Sequence, residues 1–175
     1  MKLSERVEHL RAQLRQHRDA VRFCALFALY SVLAFLLLHL LDERAVIPFT
    51  RGIARATYVV LHALGAPIVV EGVMLELRGF AVEIRNNCNA IYEIALYTAA
   101  TLAYPAPVLQ RLAGILIGAV VLYVVNLVRV ATLLYLGAFL PDSFDVAHVY
   151  VWQAFFLFVV AALWLIWVSR VRPLA

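Results

Sequence analysis

The sequence predicts an all-α integral membrane protein of about four transmembrane helices, with a small extracytoplasmic amphipathic helix and β meander between helices one and two. Three observations point there. Of 175 residues, 65% are hydrophobic and only 15% charged, and the mean hydropathy is +0.90, far too apolar for an ordinary soluble domain. Apolar runs recur near residues 21–41, 89–104, 112–136 and 147–168, and a spanning helix needs roughly 20 such residues. Finally, the basic residues crowd one side of that pattern, as they do beside cytoplasmic helix ends.

The elements follow in order. Residues 1–20, with "VEHLRAQLRQHRDAV", read as a cytoplasmic basic amphipathic segment at the membrane surface. The remainder, 21–175, reads as a single membrane domain. Its first apolar run is too long for a signal-peptide core and no small-residue cleavage motif follows, so it is expected to be a retained anchor. The insert 42–87 opens with an amphipathic helix over 48–64, in which Arg51, Arg55, Tyr58 and His62 share one face. Ile53, Ala56, Val60 and Leu64 form the apolar stripe, expected to face lipid or the bundle from the outer interface. "IVVEGVMLELRGFAVEIR" then alternates apolar and polar residues around Glu71-Gly72 and Arg78-Gly79, the pattern of a small meander. Pro105 and Pro107 punctuate a short turn between the second and third spans.

Charge sets the expected orientation. Nine basic residues (Lys2, Arg6, Arg11, Arg15, Arg18, Arg22, Arg111, Arg170 and Arg172) stand on one side against Glu5, Glu8 and Asp19. The insert and the loop over 137–145 carry five basic and seven acidic residues. Both termini are therefore expected in the cytoplasm, and the +4 net charge reflects topology, not a nucleic-acid surface. There is no phosphate-cradling glycine loop and no zinc-type cysteine and histidine spacing, so neither cofactor nor metal is expected.

Under that topology Cys24 and Cys88 lie on opposite sides of a core about 30 Å thick, too far for a disulfide, whose Cα atoms stand within about 7 Å. Cys88, in "RNNCNAIYE", is left a single thiol on the oxidising side. Two more polar residues fall at the same depth. Arg129 in "VVNLVRVATLLYLG" lies seven residues before Leu136, roughly 10 Å below the outer end of its helix, with Asn126 on its face. His148 opens the last span in "DVAHVYVWQ", with Gln153 near one turn below. A thiol at a helix start beside a cation favours thiolate. A histidine can relay its proton to a leaving amine, and an arginine can hold an oxyanion. Together they make an acyl-transfer site, with Cys88, Arg129 and His148 as catalytic candidates and Asn126, Glu93, Gln153 and Asn89 in support. Glu93 has a second reading, as ion-pair partner of Arg129 or Arg85. The rival classes are a non-catalytic membrane scaffold or small-molecule permease with a polar Arg/Glu path, and a redox thiol protein.

The ordered set "CNAIYE", "NLVRV" and "HVYVWQ" resembles the exosortase/archaeosortase family, and the wording "NLVRVATLLYLG" and "AHVYVWQA" is most similar to its exosortase H subfamily. The likeness covers roughly residues 70–168. It departs at Ala90, where the subfamily has glycine, and in setting Glu93 one position further from the cysteine. The resemblance implies a cysteine protease/transpeptidase of the bacterial inner membrane, with its active site at the periplasmic face. Its substrates would be exported proteins ending in a short motif, a spanning helix and a basic cluster. Carried over, Cys88 is the nucleophile that forms a thioester, Arg129 the transition-state stabiliser and His148 the acid/base; the acceptor is water, lipid or glycan.

Overall fold

The computed structural model describes residues 3–85 and 88–171, and the side chains of 3–16 and 42–43 fall outside that description. Lys2, Asn86, Asn87 and Arg172, used above for charge and motif, thus lie beyond it, as do the side chains of Arg6, Arg11 and Arg15. The chain runs α1 (Leu3–Leu40), α2 (Ile47–Ala63), β1 (Ile68–Glu71), β2 (Met74–Leu77), β3 (Phe80–Glu83), α3 (Ile91–Ala103), α4 (Val108–Phe139), a three-residue α5 (Phe144–Val146) and α6 (Trp152–Arg170). The segment 1–20 is not set apart by a break, because α1 is helical from Leu3 to Leu40.

Among the described residues, three helical stretches are long and apolar enough to cross a membrane: His17–Leu40, Val108–Phe139 and Pro141–Arg170. This is a multi-pass membrane protein. The expected second span is shorter than the run 89–104 suggests. Helix α3 has 13 residues, about 20 Å at 1.5 Å each against a core of about 30 Å. It ends where Tyr104 turns extended ahead of Pro105 and Pro107, and Pro107 is the residue before α4.

Small residues let the helices close. A Cβ at Gly118 would strike the Tyr97 ring, and one at Gly114 the Trp167 indole. The same rings donate to backbone, Tyr97 Oη to the Gly114 carbonyl at 3.2 Å and Trp167 Nε1 to that of Gln110 at 3.3 Å. At that end Phe23 is tilted against Trp164, and Tyr104 meets Trp164 and Trp167 in T-shaped contacts, with centroids 5.4 to 6.1 Å apart, the aromatic girdle expected at a membrane interface.

At the other end α2 and the sheet cap α4. The sheet is antiparallel in order β1-β2-β3. Pairing of Glu71 with Met74 leaves Gly72 (φ +61°) to open a two-residue turn, and pairing of Leu77 with Phe80 leaves Arg78 (φ +53°) and Gly79 (φ +82°), the two left-handed residues of a type I′ turn. Ile68, Leu75, Leu77, Val82 and Ile84 face inward, against Ile53, Ala54 and Leu61 of α2 and Val130, Leu133 and Leu134 of α4. The buried face of α2 is Thr50, Ile53, Ala54, Thr57 and Leu61. Of the expected stripe, Ile53 packs into the bundle, whereas Val60 and Leu64 point outward, 49% and 76% exposed. Thr50, Ala54 and Thr57 share the inward face with Ile53 and Leu61, where the sheet and α4 press on the helix.

Candidate active site

The turn that holds Cys88 is built by its neighbours. The Cys88 amide donates to the Arg85 carbonyl at 2.8 Å. Asn89, fully buried, accepts the Ile91 amide on Oδ1 at 3.1 Å and donates from Nδ2 to Thr50 Oγ1 at 2.7 Å. Thr50 in turn donates to the Val46 carbonyl at 2.8 Å. Ala90 completes the turn in the left-handed region, φ 62° and ψ 6°, immediately before α3 begins. That conformation costs a residue with a Cβ about 1–2 kcal/mol. The position is one where glycine would sit at no cost.

Cys88 is 4% exposed and free, in the core cluster with Ile53, Val130 and Leu134; Cys24 is free and exposed on α1. Antiparallel packing sets its level. Tyr97 of α3 lies on Gly118 of α4; Cys88 precedes Tyr97 by nine residues and Arg129 follows Gly118 by eleven, so the thiol and the guanidinium come to similar depth. Arg129 is 1% exposed. Its Nη2 donates to Gln153 Oε1 at 3.4 Å and its guanidinium lies 5.7 Å from the Phe156 ring centroid, which ties α4 to α6. Glu93, in the first turn of α3, is buried, and its Oε2 has no hydrogen-bond partner. Asn126 is fully buried one turn below Arg129, with neither amide atom bonded. A buried amide in that state is costly in an apolar bundle.

Electrostatics correct one expectation. Burial pushes the Cys88 thiol up from its ordinary value, the Arg129 guanidinium pulls it down by less, and the Glu93 carboxylate adds to the rise. The helix start does not produce a resting thiolate, since Cys88 stands three residues ahead of Ile91 and in a dry core, where desolvation outweighs the cation. A thiol so placed needs a base at the moment of reaction.

His148 is half-buried and stacked on Phe144, centroids 5.6 Å apart. It lies in a π-helical turn, Ala147–Val151. Gln153, five residues on and in the first turn of α6, is the acceptor of Arg129. Among the described residues no hydrogen bond joins His148 to Cys88. The geometry thus gathers Cys88, Asn89, Glu93, Arg129 and Gln153 in one part of the bundle, with Asn126 one turn below Arg129 and His148 within reach of the Arg129 charge. Thr50 escaped the sequence reading. Its signal was a hydroxyl on the inward side of an amphipathic helix, three residues before Ile53.

A family model described as transmembrane exosortase (Exosortase_EpsH) matches residues 14–167. The chain belongs to the transmembrane exosortase family. No curated protein and no solved structure matches this exosortase. The matched region runs from α1 nearly to the end of α6 and so includes every residue of the site.

Proposed function

We propose that this exosortase, of the exosortase H type, is a membrane-embedded cysteine peptidase/transpeptidase. It cleaves the C-terminal sorting tails of exported proteins by acyl transfer through a thioester. The observation that carries the reading is the buried single thiol of Cys88 in the field of an equally buried Arg129, which is held by the helix that bears His148. His148 takes the thiol proton as sulfur attacks the scissile carbonyl. Arg129 faces the oxyanion of the tetrahedral intermediate, where fixed donors in a dry site contribute a few kcal/mol. The C–N bond breaks, the leaving amine takes the proton from His148, and the acyl group remains on Cys88. An acceptor hydroxyl from water, lipid or glycan then attacks the thioester, its proton passing through His148, and restores the thiol. Asn126, with an unbonded amide one turn from Arg129, is a supporting donor, and Glu93 balances the arginine charge.

Localisation in the bacterial inner membrane, with both termini cytoplasmic and the site at the periplasmic face, is part of this reading and rests on the arrangement of basic residues. The permease alternative needs paired half-helices; α3 has the length of one, and no second pairs with it among the described helices. Co-expression with an exported protein from the same genome that ends in a motif, an apolar helix and arginines tests the reading. Wild type should shorten that protein, hydroxylamine should release it as a hydroxamate, and Cys88→Ala should leave it full length. Undiminished shortening by Cys88→Ala sinks the proposal.

A further inference from the structure

A cleft of about 800 Å³ opens between the start of α2 and the β1–β2 end of the sheet, with Thr50, Arg51, Glu71, Met74, Arg85 and Tyr92 in its wall. Its size falls among clefts that hold ligands. Its place relative to the thiol is set by one hydrogen bond. Thr50, in the wall, accepts from Asn89 at 2.7 Å, and Asn89 adjoins Cys88. The wall of the cleft and the turn that carries the thiol are thus joined through one buried hydrogen bond.

The lining selects the occupant. Arg85 is paired with Glu83 at 2.9 Å, whereas Arg51 and Glu71, both exposed, form no ion pair among the described residues. Exposed charges of both signs are incompatible with acyl chains. They suit the alternating donors and acceptors of a peptide in water. Below them Met74, 44% exposed, and Tyr92, set edge-on to Phe35 at 5.6 Å, offer an adaptable thioether and an aromatic wall for its side chains.

We propose that this cleft is the docking subsite for the extramembrane stretch of the tailed substrate, the residues that lead into its spanning helix. This rests on the acyl-transfer reading. The peptide lies extended between α2 and the hairpin and presents its carbonyl to Cys88 as its helix enters the bilayer beside the bundle.

The test uses a photo-cross-linking benzophenone residue in place of Met74 in the Cys88→Ala protein, co-expressed with the same tailed exported protein. A control carries it in place of Leu116, 68% exposed on the lipid side of α4. An adduct from position 74 and none from 116 is expected. No adduct from 74 while the precursor is present in the membrane overturns the proposal. In the active protein, Met74→Trp should narrow the cleft and raise KM by about tenfold with kcat little changed, as loss of uniform binding does, and leave alkylation of Cys88 by a small maleimide as in wild type. An unchanged KM, or a fall in kcat alone, also overturns it. Shortening that persists in Cys88→Ala would defeat the thioester chemistry, while the cross-link would still report docking.

Discussion

Asn89 Nδ2 donates to Thr50 Oγ1 at 2.7 Å, so the residue that follows Cys88 is tethered to a helix 39 positions earlier in the chain. Thr50→Val keeps the shape and removes the acceptor, so this buried hydrogen bond is lost, a cost of about 0.5–1.5 kcal/mol. Tail processing should fall by up to roughly tenfold, with the pH profile of Cys88 alkylation displaced, while Thr50→Ser restores both. Equal loss in Val and Ser would make Thr50 a packing residue.

The thiol should titrate late. Because burial raises its pKa, its alkylation rate should climb only at alkaline pH, above that of a free cysteine. Arg129→Gln removes the group that lowers the value, so the profile should move to still higher pH. Glu93→Gln removes a group that raises it and should move the profile the other way. Stopped alkylation with a small maleimide across pH 7–11 reads both signs.

Arg129→Lys separates catalysis from charge balance. Lysine keeps the cation but loses the planar fork and can shed its proton in an apolar site. Processing should drop by about 10² or more. Near-normal turnover in Arg129→Lys, or recovery in the double variant Arg129→Gln with Glu93→Gln, would make the arginine structural.

Ala90 occupies a left-handed turn with a side chain that dislikes it. Replacement by glycine relieves about 1–2 kcal/mol and loses one buried methyl of about 0.8 kcal/mol, so Ala90→Gly should unfold no earlier than wild type and process at the wild-type rate or faster. Ala90→Val, β-branched at positive φ, should lose both stability and processing. Thermal unfolding in detergent beside the processing assay checks the pair.

Gly118→Ala would gain helix propensity of about 1 kcal/mol in isolation. Here its methyl meets the Tyr97 ring, and overpacking costs about 1–3 kcal/mol. A lower unfolding temperature than wild type is expected; relief by Tyr97→Leu in the same chain would tie the effect to that contact.

The sequence by itself determined that this chain lives in a membrane. Hydropathy is summed over twenty residues, and no local packing reverses it. It also determined that Cys88, Arg129 and His148 come from separate elements, because motifs are strings. The hairpin turns were legible for a similar reason, as Gly72 and Gly79 are needed wherever φ turns positive. What lay beyond it depends on contacts distant in the chain. The inward face of α2 was decided by the sheet and α4 pressing on it, so Thr50 and Ala54 went in and Val60 and Leu64 stayed out. The upward shift of the thiol comes first from desolvation among Ile53, Val130 and Leu134, which no dipole argument from position along a helix contains. The hydrogen bond between Asn89 and Thr50 belongs to the same class. Each residue alone is an ordinary polar residue, and only tertiary packing, by excluding water from both, makes each the partner the other requires.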